Sequence, residues 1–161
     1  MLKILRDLWA QNEGILKKAL EELDHEPNYS ELVSLTFNKI YDEEDTYNYD
    51  SMYRKLDIEH MTHIDNGDYQ GTHIFLIPFD TYQPGAGEYL MTYVDYGSCS
   101  GCDTLLRITG YLDPPYNEQQ IKDLITLCRH IVMNTIKPYN YGWRHEEEFD
   151  QVEFEEEITD A

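Results

Sequence analysis

Tyr89-Leu-Met-Thr-Tyr-Val-Asp-Tyr-Gly-Ser-Cys-Ser-Gly-Cys-Asp-Thr-Leu-Leu-Arg-Ile108 reads as a buried strand over about Tyr89–Asp95, a tight glycine-containing turn, and a short helix over Asp103–Ile108. The turn carries Cys99-Ser-Gly-Cys102. Leu105, Leu106 and Ile108 supply the apolar positions of the helix, and Gly110 and Pro114-Pro115 end it.

Toward the amino terminus, Gln83-Pro-Gly-Ala-Gly87 is a turn-rich connector without the spacing, Lys or Ser/Thr of a phosphate-binding loop. Before it, Asp65-Asn-Gly-Asp68 predicts a hairpin, because Asn-Gly suits the two positive-φ positions of a type I′ turn. A two-residue loop there sets Ile64 opposite Tyr69 and His60 opposite His73. Ile58, Ile64, Tyr69, Phe75 and Ile77 then share a face with both histidines, and the second strand runs over about Tyr69–Ile77 to Pro78. Leu2, Leu5, Trp9, Leu16, Leu20 and Leu23 follow helical spacing and predict a first helix over about residues 2–24. Asn12 and Gly14 weaken its middle, and Pro27 stops any continuation. Asn28 or Ser30 caps a second helix built on Leu32, Val33, Phe37, Ile40 and Tyr41. Alternation of Val33, Leu35 and Phe37 also fits a strand, and the helical spacing is preferred.

Toward the carboxyl terminus, Asn117 with Gln120 forms a capping box for a long helix. Ile121, Leu124, Ile125, Cys128, Val132 and Thr135 line one face of it, and Pro138 stops it. The expected fold is α+β: an antiparallel sheet of at least three strands with N-terminal and C-terminal helices packed on it. The expected organisation is a single domain over 1–141 followed by an acidic tail over 142–161 that is partly docked. Gly142–Ala161 holds nine acids and one Arg, yet Phe149, Val152, Phe154 and Ile158 supply anchors that disordered acidic tails lack.

With 161 residues the chain suffices for one domain that buries roughly 70% of its unfolded surface. Its formal net charge is -20, from 12 Lys+Arg against 32 Asp+Glu. That charge repels nucleic acid and anionic lipid and steers basic partners inward. Fourteen Tyr and two Trp set it apart from disordered acidic chains. No apolar run approaches the ~20 residues of a membrane span. The opening Met1–Trp9 lacks a signal-peptide core, and three cysteines make no secreted disulfide framework, so the expected location is a reducing cytoplasm.

Cys99 and Cys102 have zinc-ligand spacing, but a second such pair is missing. His60 and His73 complete a tetrahedral set if strand three lies beside them, giving a structural zinc as the cofactor to test; Cys128-Arg-His130 is another source of ligands. Cys128 fits an apolar helix face and reads as core. Thiol redox chemistry is opposed by the flanking Asp95 and Asp103, which raise a thiol pKa, and by the lack of a parallel crossover before the motif. The simplest reading is that Cys99 and Cys102 pack as small apolar groups around the turn. Ser98 and Ser100 lack a nucleophile elbow, and no metal-binding helix motif occurs, so catalysis is not favoured. Carboxylates on a rigid surface can instead imitate nucleic-acid phosphates and occupy a basic cleft. Two stretches supply them: Asp42, Glu43, Glu44, Asp45 and Asp50 in the tyrosine-rich loop, and Glu146, Glu147, Glu148, Asp150, Glu153, Glu155, Glu156 and Glu157 in the tail.

Asp68-Tyr-Gln-Gly71, Thr81-Tyr-Gln-Pro84, Glu88-Tyr-Leu-Met-Thr-Tyr93 and Tyr96-Gly-Ser-Cys-Ser-Gly-Cys-Asp-Thr-Leu105 carry a likeness that covers the chain to about Gly142. Leu127-Cys-Arg-His-Ile131 and Ile136-Lys-Pro-Tyr139 extend it. On these motifs the chain resembles a group of small proteins encoded by bacteriophages and prophages of Gram-positive bacteria. The resemblance carries over no catalytic residue. It implies a phage protein acting in a bacterial cytoplasm, where small acidic phage proteins resemble anti-restriction and anti-CRISPR inhibitors. The expected function is therefore a binding protein that blocks a basic host nuclease or other defence effector by nucleic-acid mimicry. The alternatives are a zinc- or thiol-dependent protein centred on the cysteine pair and a phage structural or assembly component.

Overall fold

The computed structural model describes residues 3–41, 55–85 and 87–136. Its element order is α1 (Lys3–Glu21), α2 (Tyr29–Ile40), a 3-10 turn (Ile58–His60), β1 (Thr62–Asp65), β2 (Gly71–Pro78), β3 (Tyr89–Tyr96), α3 (Thr104–Thr109) and α4 (Glu118–Met133). The strands pair antiparallel in the order β1-β2-β3, with helices before and after them, which is the α+β arrangement expected.

Leu5, Leu16 and Leu20 of α1 are fully buried, as the helical spacing requires. The helix ends at Glu21, short of residue 24. Asn12, which weakens the helix locally, is buried and donates through Nδ2 to the Ile40 carbonyl at 2.8 Å. It thereby satisfies an orphan carbonyl at the end of α2. Asn28 is the cap of α2 and forms a complete capping box with Glu31. Asn117 and Gln120 do the same for α4. Arg129 of α4 reaches Glu13 of α1 at 3.2 Å and lies 5.7 Å from the centroid of the Trp9 ring.

The hairpin differs from its expected register. Thr62 pairs with Leu76, His63 with Phe75, Ile64 with Ile74 and Asp65 with His73, so Asn66–Gln70 form a longer connection. Neither Asn66 nor Gly67 takes a positive φ, so the Asn-Gly pair makes no type I′ turn. Side chains organise the loop instead: Asp65 accepts from the Gly67 N–H at 3.1 Å and Asn66 from the Thr72 N–H at 2.7 Å. Gly67 is needed for close approach, since a Cβ there would stand 2.1 Å from the Gln70 carbonyl oxygen. As a result Ile64 and Tyr69 are exposed rather than facing the core, and His60 does not face His73.

His73, Phe75 and Ile77 of β2 alternate onto the sheet face that carries His63 and Asp65 of β1 and Leu90, Thr92 and Val94 of β3. Phe75, Ile77 and Leu90 are fully buried in one core with α1, α2 and α4. The buried Thr92 hydroxyl donates to the Ile131 carbonyl and fixes α4 to β3. At the edge of β3, Ile136 exchanges two backbone bonds of 2.8 Å with Met91. The expected acidic loop, apart from its first residue Tyr41, and the expected tail over 142–161 lie outside the described residues.

Candidate functional site

The turn after β3 and the segment before α2 meet through Asp103. Asp103 is buried and caps α3, accepting from the Leu106 N–H at 3.0 Å. It also accepts from the Gly97 N–H at 3.1 Å and from the Tyr29 hydroxyl at 3.0 Å. The Tyr29 oxygen in turn accepts from the Leu105 N–H at 3.1 Å. Burial is the main reason that the Tyr29 phenol is held well above its ordinary pKa. Glu26 accepts from Thr109 through its side chain and donates its backbone N–H to Asp113 at 2.9 Å. These links bind the start of α2 to α3 and make one wall of a cleft of about 510 Å³.

The opposite wall is the core-side face of the hairpin and β3. His63 and His73 sit diagonally across β1 and β2, with His63 Nε2 and His73 Nδ1 2.8 Å apart. One nitrogen donates and the other accepts, so protonating the accepting nitrogen breaks the bond. His73 stacks on Tyr96 at 4.2 Å, His63 stacks on Phe75 at 4.8 Å, and Tyr29 is tilted 5.5 Å from His73. Burial, then the charge of His63, lowers the His73 pKa. Tyr96 donates to Asp65 at 2.6 Å; this bond raises the phenol to about 12 and is the first cause of the lowered Asp65 pKa. Among the described residues, Glu26, Tyr29, His63, His73, Tyr96 and Asp103 are the ionisable ones lining the cleft, and this lining includes no Lys or Arg.

Cys99 and Cys102 lie in the turn joining two lining residues, Tyr96 and Asp103. Both are exposed free thiols, so packing as small apolar groups does not account for them. Their sulfurs are 2.9 Å apart. Gly97 permits the turn to close, because a Cβ there would meet the Cys102 sulfur and carbonyl carbon at 2.6 Å. The thiol pKa of Cys102 is lowered, first by the Cys99 thiol and then by the Cys99 N–H, which donates to it at 3.1 Å. The Asp103 carboxylate is occupied by the three donors named above.

The four residues considered for zinc fall in separate places. Cys99 and Cys102 form the turn, and His73 pairs with His63. His60 binds Asp57 at 2.7 Å beside a second cleft of about 650 Å³. Among the described residues no group of three or more His, Cys, Asp or Glu gathers as a metal site. His63 was not recognisable as part of a site while the hairpin was paired through Asn-Gly; only the observed register brings it to His73. The candidate partner-binding acids from Asp42 to Asp50 and from Glu146 to Glu157 lie outside the described residues. Among the described residues no helix is long and apolar enough to cross a membrane. No family model, curated protein or solved structure matches the chain.

Proposed function

We propose that the protein is an acidic binding protein that blocks a basic site on a nuclease or other DNA-binding protein, with the cleft between α2 and the sheet receiving a cationic side chain of that partner. The observation that carries the reading is the cleft's composition within a chain of net charge -20: among the described residues its lining holds two carboxylates, two tyrosines and two histidines, without Lys or Arg. Tyrosine faces attract a guanidinium or ammonium group, more so when water is excluded. Carboxylates around them add charge and steer a basic partner inward. Tyr29 and Tyr96 are held in place by hydrogen bonds, so little side-chain entropy is lost on binding. The acids of residues 42–50 and 146–157 add to the negative charge, and the resemblance to phage proteins implies a partner in a bacterial cell. In this reading the protein performs no catalysis.

The test is complex formation with purified bacterial nucleases and defence effectors at low and high salt. Binding should weaken steeply as salt rises. Neutralising the acids of 42–50 and 146–157 should slow association, whereas Tyr96→Ala should mainly speed dissociation. Complexes indifferent to salt, to charge neutralisation and to Tyr96→Ala would remove the proposal.

A further inference from the structure

The cysteine turn carries chemistry that a charge-based binding protein does not use. Cys102 and Asp103 both donate their backbone N–H groups to the Cys99 carbonyl, at 3.0 and 2.8 Å, so the turn is fixed with both sulfurs on one side. The Sγ–Sγ separation of 2.9 Å is well inside ordinary sulfur contact. It lies about midway between a disulfide bond of ~2.05 Å and the ~3.8 Å sulfur–sulfur edge of a tetrahedral zinc site with Zn–S bonds of ~2.3 Å. Ligand number decides between them. Zinc needs further protein ligands, and among the described residues no third His, Cys, Asp or Glu joins the pair. A disulfide needs only the two sulfurs, both of which face solvent.

We propose that Cys99 and Cys102 are a redox-reactive dithiol that closes to a disulfide by exchange with a disulfide of the glutathione class. Cys102 is the attacking residue, because its sulfur already receives the Cys99 N–H, which stabilises the thiolate. Its thiol loses a proton to solvent, and the thiolate so formed attacks one sulfur of the external disulfide. A Cys102 mixed disulfide forms and one thiolate leaves. Cys99 then loses its proton and attacks the Cys102 sulfur, displacing the second thiolate. The two leaving thiolates take up two protons. In balance, two cysteine thiols are oxidised to one disulfide and one external disulfide is reduced to two thiols. Cys128 takes no part: it is fully buried, and burial pushes its thiol up to about 12.

The experiment equilibrates the reduced full chain in mixtures of glutathione and glutathione disulfide, traps free thiols by alkylation and maps the products by peptide mass spectrometry. The expected product is a Cys99–Cys102 disulfide, with Cys128 alkylated only after unfolding. Cys99→Ser should accumulate a glutathione mixed disulfide at Cys102, because the resolving thiol is missing. Cys102→Ser should react more slowly than Cys99→Ser, because only the Cys102 sulfur receives the Cys99 N–H. Both variants alter exposed side chains, and circular dichroism checks their fold. Two free thiols in the most oxidising mixture, or a wild-type mixed disulfide that never closes internally, would overturn the proposal.

Discussion

The two walls of the cleft are held by different physics. The wall formed by the start of α2 and by α3 rests on Asp103, which is 5% exposed and takes hydrogen bonds from Tyr29, Gly97 and Leu106. The hairpin wall rests on exposed pairs: His63 with His73 and Tyr96 with Asp65. A buried polar group left without its partner bears its full desolvation cost. An exposed pair exchanges its partner for water at little cost and answers to pH instead. The first wall is therefore a scaffold, and the second is an adjustable surface opposite it.

Removing Asp103 is the strongest challenge to this contrast. Asp103→Ala should lower stability by about 3 kcal/mol, combining the lost helix cap with orphaned donors at Tyr29 and Gly97. Tyr29→Phe should cost about 1 kcal/mol, because one hydroxyl that both donates and accepts is lost. Urea unfolding monitored by circular dichroism measures both. If Asp103→Ala costs no more than a surface substitution, the scaffold assignment is wrong.

Gly97→Ala acts on the same wall by sterics. The added methyl would meet the Cys102 carbonyl oxygen at 2.5 Å, and backbone cannot step aside as a flexible side-chain tip can. A cost of about 2 kcal/mol is expected from such overpacking, again read from the unfolding midpoint. A neutral outcome would mean that the cysteine turn is looser than its hydrogen bonds imply.

The same contrast explains what was legible in the sequence. Helix ends could be read because Asn28 with Glu31 and Asn117 with Gln120 satisfy backbone donors within one turn, using only local residues. The strand–turn–helix around Cys99 was legible for a similar reason, with Asp103 capping α3 and Gly110 at φ 64 ending it. The hairpin register was not. Asp65 and Asn66 used their side chains to build a wider loop, and burial of Phe75 and Ile77 then fixed the pairing. That long-range decision replaced His60 with His63 beside His73. The cleft was illegible for the further reason that its walls come from residues 26–30, 63–73 and 96–106, which only packing brings together.

On the hairpin wall, pH should act through His73. Its pKa lies below the ordinary 6.5 because burial and the charge of His63 disfavour its cation, outweighing the opposing pull of Asp65 and Asp103. The unfolded chain thus takes up a proton near 6.5 that the native chain refuses. The His73 contribution to stability should fall as pH drops below about 6.5 and level off once pH lies below the depressed native value. Tyr29 and Tyr96, which also face His73, stay neutral throughout this range because both phenols are raised. His130, lowered by its own burial, contributes in the same direction, and His25, raised by its bonds to Asp24 and Glu31, in the opposite one, so His73→Gln serves as the comparison. That variant should show a shallower loss of stability between neutral and mildly acidic pH. Identical pH slopes would detach His73 from the effect.

The smallest expected effect is at Tyr96 and Asp65. Asp65 is exposed and Tyr96 is held by packing against the core as well, so breaking their 2.6 Å bond should leave the unfolding midpoint within the scatter of surface substitutions. The signature is instead in titration. In the native protein the Tyr96 phenol is raised to about 12, chiefly because ionising it would sacrifice the bond to an acceptor that is already negative. Asp65→Asn removes that charge, so the phenol should titrate nearer its ordinary value of 10.0, followed by NMR of the labelled tyrosine ring. The His73 ring stacked on Tyr96 reports whether the platform survives. A phenol pKa that falls while the His73 resonances stay put means that stacking and backbone pairing hold Tyr96, and that the carboxylate sets only its charge. A fall accompanied by displaced His73 resonances makes Asp65 a support for the ring itself, and the hairpin wall would then share the fixed character of the Asp103 wall.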